Sequence, residues 1–184
     1  GIPQLSTKEK SLWETVTNTG KAIQEVSLPD GSKVWLNPST SIMYKIVKGA
    51  PTREVYLEGE AFFDVKPNKE QPFHVKNKGL NIMVLGTSFN VVASANTDKY
   101  EVSVVTGKVR VNYQEDEDKV NQVIITPQQQ VVIQKEENTV ETHDFTVEQH
   151  THKQIWEPIT LSFDEVILDK VIEQIEDEYG IIIR

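Results

Sequence analysis

From Val26 to Ile133 apolar residues recur at every second position. Val26 and Leu28 alternate with polar neighbours, and so do Val34 and Leu36, then Ile42, Tyr44 and Ile46. Val55 and Leu57 follow, then Ala61, Phe63 and Val65, then Phe73 and Val75. The series continues through Leu80, Ile82 and Val84, Phe89 and Val91, and Tyr100, Val102 and Val104. It closes with Val109, Val111 and Tyr113, Val123 and Ile125, and Val131 and Ile133. A period of two, rich in β-branched and aromatic residues, predicts half-buried strands. No helical period persists for three turns in this span.

Turn signals cut the alternation at short intervals. In "LPDGSKVWLNPSTSI" two of them, Pro29-Asp30-Gly31 and Asn37-Pro38-Ser39, leave room for one short strand. "VYLEGEAFFDV", "VLGTSFNVVA" and "VSVVTGKVRV" repeat the plan of apolar pair, turn, apolar pair, with Gly59, Gly86 and Gly107 in the turns, and "VIITPQQQVVI" puts Pro127 in the same place. With Asp30 and Gly31 these glycines are the predicted structural turns, because glycine tolerates the positive φ of a tight reversal. The expected class is mainly β. It is either a short-stranded antiparallel β-coil, solenoid-like, or a β-sandwich.

The flanks break the pattern. Leu12, Trp13 and Val16 have near-helical spacing within a polar stretch, so residues 1–24 read as a linker with a marginal helix. Residues 25–134 form the all-β domain. Residues 135–158 read as a second linker with one strand, Val140–Phe145. Residues 159–184 read strand, helix, strand. Ser162 and Glu165 form a capping box, and Val166, Leu168, Val171, Ile172, Ile175 and Tyr179 line one helical face before Gly180 ends it. This small α/β (βαβ) module is incomplete, so its sheet edge needs a neighbour inside or outside the chain. Leu161, Phe163, Ile181, Ile182 and Ile183 are its candidate partner-binding residues. The open edge would equally admit a second copy of the chain. Both ends read as cut from something longer.

Composition narrows the function. The 184-residue chain has a formal net charge of -9 and no cysteine. An acidic chain repels phosphate backbones and anionic lipid, which argues against nucleic-acid binding. Without cysteine there is no disulfide and no thiolate chemistry. No stretch of about twenty apolar residues spans a membrane.

Candidate chemistry is thin. Glu58 and Glu60 would share a strand face, too close in sequence to stand across a bound sugar. "TGK" at Thr106–Lys108 lacks the spacing of a phosphate loop and reads as a hairpin turn. His143, Asp144, His150 and His152 have workable ligand spacing, but they read as solvated linker residues rather than a metal centre. Trp35, Tyr44, Tyr56 and Phe63 could form a sugar-stacking platform, although aromatics at alternating strand positions are more often core. The residues therefore point to a non-enzymatic binding domain with no catalytic site, metal or cofactor. A carbohydrate-binding β-domain is the alternative.

"LPDGSKVWLNPSTSIMY", "REVYLEGEAFFDVKPNKEQPFHV", "LNIMVLGTSFNVVA" and "VSVVTGKVRV", in this order, resemble the FecR family in the form abundant among Bacteroidetes. The resemblance runs from Leu28 to Ile133. The tail from Ile159 to Ile183 looks like the start of a secretin/TonB short N-terminal module. The resemblance implies the periplasmic part of an anti-sigma factor or sigma regulator, anchored in the inner membrane by one helix outside this sequence. The implied partners are the N-terminal signalling domain of an outer-membrane TonB-dependent transporter and, through a cytoplasmic region outside this sequence, an ECF sigma factor.

Overall fold

The computed structural model describes residue 4 and residues 12–144. Thirteen strands run through them: β1 (Glu14–Thr17), β2 (Gln24–Ser27), β3 (Lys33–Leu36), β4 (Ser41–Lys45), β5 (Arg53–Asp64), β6 (Phe73–Asn77), β7 (Leu80–Val84), β8 (Ser88–Ala93), β9 (Lys99–Thr106), β10 (Val109–Gln114), β11 (Val120–Ile125), β12 (Gln129–Gln134) and β13 (Thr139–Asp144). No helix occurs among the described residues. The strands form two ladders. Ladder A runs β1-β4-β5-β6-β7-β10-β11, and ladder B runs β2-β3-β5-β8-β9-β12-β13.

The ladders face each other over one apolar core, a β-sandwich rather than a coil of stacked rungs. The alternating residues of the sequence point into it: Val55 and Leu57 of β5, Ile82 of β7 and Val111 of β10 from ladder A, Val91 of β8 and Val102 of β9 from ladder B. Phe63 stacks on Phe89 within ladder B at 5.2 Å and meets Phe73 of ladder A edge-on at 6.3 Å. Burying each such side chain contributes about 1.5–3 kcal/mol, so the alternation alone strongly fixes which face turns inward.

β5 joins the ladders. Its first half pairs with β4 and β6, its second half with β3 and β8, and its odd-numbered residues face the core throughout. The reading of "VYLEGEAFFDV" as strand, turn, strand is corrected here: it is one strand of 12 residues that bends. β5 and β6 are parallel, the exception to an otherwise antiparallel arrangement. A parallel neighbour requires a crossover, which residues 65–72 supply.

Two further expectations change. Glu14–Thr17 is a strand against β4, not part of a helix. Leu12, Trp13 and Val16 fit helical spacing, but pairing with a ready sheet edge overrides a weak local period. β9 and β10 belong to different ladders, so the turn at Thr106–Lys108 crosses between sheets instead of closing a hairpin. Hairpins do close at the acidic run between β10 and β11 and between β12 and β13. The βαβ module of residues 159–184 lies outside the described residues.

Candidate functional site

Asp30 does more than shape a turn. Its carboxylate accepts hydrogen bonds from the Ser32 backbone N–H at 3.0 Å and the Ser32 hydroxyl at 2.7 Å. It also receives Arg53 Nη1 at 2.8 Å. Arg53 is only 1% exposed, and every other bond it makes goes to backbone carbonyls. Nε donates to Gln71 at 2.7 Å and Nη1 to Lys66 at 2.8 Å, with longer contacts from Nη2 to Asn68 and Leu85. A buried guanidinium is tolerated because its donors are satisfied in this way. The contact also measures the bend of β5. Thirteen residues of extended chain would span roughly 43 Å. Arg53, at the start of the strand, nevertheless bonds Lys66 just past its end.

The predicted turn glycines divide by physical role. Gly31 ends the β2–β3 hairpin at φ +87°, with its N–H on the Leu28 carbonyl at 3.0 Å. Gly59 sits at the bend of β5 with φ +124°, and a Cβ there would lie 2.5 Å from Thr40 Oγ1 and 2.9 Å from Thr40 Cα. Gly86 and Gly107 occupy one corner where two connections cross between ladders. A Cβ on Gly86 would lie 2.6 Å from Pro67 Cα, so close approach, not positive φ, requires glycine there. Gly107 needs both, at φ +79° with Thr87 Cγ2 2.4 Å from the added carbon.

No catalytic group assembles from the suggested candidates. Glu58 accepts the Ala95 backbone N–H at 2.6 Å and the Asn77 amide at 3.2 Å, and Glu60 accepts the Asn37 amide at 2.8 Å. Both act as struts. The four aromatics are dispersed: Phe63 and Tyr44 are in the core, Trp35 is on the outside of ladder B, and Tyr56 packs against Trp13 outside ladder A. They form no sugar platform. His143 meets Glu141 at 3.3 Å, and among the described residues no cluster of three metal-ligating side chains occurs. His150 and His152 lie outside the described residues, as do Leu161, Phe163, Ile181, Ile182 and Ile183.

The surface that the alternation did not single out is the outer face of ladder A near its β11 edge. Val120 is 64% and Ile124 52% exposed on this terminal strand. Beside Ile124, a small recess of about 170 Å³ is lined by Met83, Leu85, Lys108 and Arg110. Towards Val120 a separate groove of about 530 Å³ lies between Tyr56, Lys76, Lys78 and Asn112. The face gathers lysine and arginine on a chain whose net charge is -9. The exposed apolar residues and open backbone edge form a surface suited to an added strand. Its sequence signal was "VNQVII", where Val120 and Ile124 share one parity and Val123 and Ile125 lack it.

Residues 15–110 match the family described as FecR protein. The chain belongs to that family. Two solved structures of candidate anti-sigma factors from Parabacteroides distasonis share the fold of this FecR-family chain. One is 29% identical with a TM-score of 0.66, covering 91% of this chain and 75% of its own. The other is 24% identical, also with a TM-score of 0.66, covering 92% of each chain. Among curated proteins none matches.

Proposed function

We propose that this FecR-family chain is the periplasmic signalling part of an anti-sigma regulator. It passes the state of an outer-membrane TonB-dependent transporter to an ECF sigma factor by protein–protein contact, without catalysis. The observation that carries this reading is the family match over residues 15–110. The likeness to a candidate anti-sigma factor over 91% of the chain supports it. The physical form is suitable: a body built on one bent strand and clamped by Arg53 moves as a unit, so force or contact at one end is felt at the other.

The transporter's signalling domain docks by strand addition at the terminal residues Leu161, Phe163 and Ile181–Ile183, where backbone hydrogen bonds supply affinity and side chains supply register. The test is capture from solubilised cell envelope with the purified chain as bait. A TonB-dependent transporter carrying an N-terminal extension is the expected partner, and Ile182→Asp should weaken its recovery. Recovery of no transporter, together with saturable binding of a glycan by the chain, would replace this reading with the carbohydrate-binding one.

A further inference from the structure

Strand β11 ends ladder A and, among the described residues, pairs on one side only, with β10. The hairpin before it fixes where its backbone groups point. The Glu115 N–H donates to the Lys119 carbonyl at 3.0 Å, so Lys119 faces β10. Gln114, opposite Val120, sends its N–H the other way, to the Gly79 carbonyl at 3.0 Å. Alternation then turns the backbone groups of Asn121, Val123 and Ile125 towards β10, and those of Val120, Gln122 and Ile124 towards the open edge. Val123 and Ile125 pack on the core, so Val120, Gln122 and Ile124 also carry their side chains on the outer face. Val120 and Ile124, 64% and 52% exposed, sit symmetrically about Gln122.

We propose that β11 pairs antiparallel with β11 of a second copy of this chain, about a two-fold axis through Gln122. In this register Val120 lies opposite the partner's Ile124, and Gln122 lies opposite the partner's Gln122. About six backbone hydrogen bonds close across the axis. Each exposed apolar side chain gains an apolar neighbour. Charge selects a copy of this chain over an unrelated strand. Asp116, Glu117 and Asp118, all exposed, precede β11 in the hairpin. Arg110 stands opposite Ile124 at the other end, with exposed Lys108 just before it. Antiparallel pairing brings the acidic end of each hairpin to the basic end of the other, twice by symmetry. A ladder this short buries little area, so the dimer is weak and dissociates on dilution. The pairing holds or fails apart from the signalling role.

The chain has no cysteine, so an added thiol reports cleanly. A thiol at Gln122 meets its own copy at a Cα separation of about 5.5 Å, within disulfide reach. Under copper–phenanthroline, Gln122→Cys in the full chain should form a covalent dimer about tenfold faster than Val47→Cys, an exposed position on the β4–β5 connection. Sedimentation of the parent should show a concentration-dependent monomer–dimer equilibrium. Ile124→Lys should weaken the dimer about tenfold or more, as a lysine on an edge strand does, with the unfolding midpoint unchanged. Lys108→Glu should weaken it too, and Lys108→Glu with Asp118→Lys in one chain should restore it. These positions lie at opposite ends of the hairpin, about 20 Å apart along β10, so restoration acts only between molecules. A parent that stays monomeric, a dimer indifferent to Ile124→Lys, or a Gln122→Cys chain that crosslinks no faster than Val47→Cys would overturn the proposal. So would a double charge reversal that dimerises no better than Lys108→Glu alone.

Discussion

Ladders A and B contribute equally to one core, yet their outer faces differ. On ladder A the outward positions of β6, β7 and β10 are polar or half-exposed, among them Lys76, Asn81 and Arg110. On ladder B most outward positions of β8, β9 and β12 are buried, and three of them are the second members of the valine pairs Val91–Val92, Val104–Val105 and Val131–Val132. A strand covered on one side alternates; a strand covered on both sides runs apolar residues together. The contrast therefore separates a sheet whose outer face is open from one whose outward side chains are largely buried.

The comparison depends first on β5 holding the ladders in place. Arg53→Met should be the most damaging change, about 3–5 kcal/mol, because it strands Asp30 and several buried carbonyls at once. Chemical denaturation measures it. Gly59→Val should cost about 3 kcal/mol through strain at positive φ and collision with Thr40, read as a lowered unfolding midpoint. A Gly59→Val protein as stable as the parent would remove the bend from the account.

Next comes the contrast itself. Val132→Asp should destabilise by about 2–3 kcal/mol, since it places a carboxylate at a buried position. Ile124→Asp, on the exposed face, should stay within about 0.5 kcal/mol of the parent. Equal losses would erase the distinction between the faces. The smallest effect concerns Tyr44, on the inner face of ladder A. Burial and its hydrogen bond to Glu14 push its pKa up to about 12, above the usual tyrosine value of about 10. The unfolded chain therefore loses this proton first, and stability falls as pH rises from about 10 to about 12. Thermal melts across that range should be flatter for Tyr44→Phe.

Much of this was legible in the sequence. The alternation identified the core strands, since Val55, Phe73, Ile82 and Val111 are inward in the structure. It could not tell a hairpin from a crossing between sheets, because Gly31 and Gly107 carry the same positive φ in both. It divided β5 at Gly59, since glycine marks a bend and a reversal alike. Arg53 was invisible because, apart from the distant Asp30 carboxylate, its partners are backbone carbonyls, which no side-chain pattern encodes. The valine pairs were present in the sequence throughout; read as a sign of two-sided burial, they would have pointed to the buried outward positions of ladder B.

Hydroxyl-radical footprinting of the intact chain tests the contrast most directly, with no substitution at all. Trp35 and Phe62, intrinsically more reactive than aliphatic residues, should be protected, while Val120 and Ile124 on β11 are oxidised. Oxidation of Trp35 as fast as that of a free tryptophan would contradict the account.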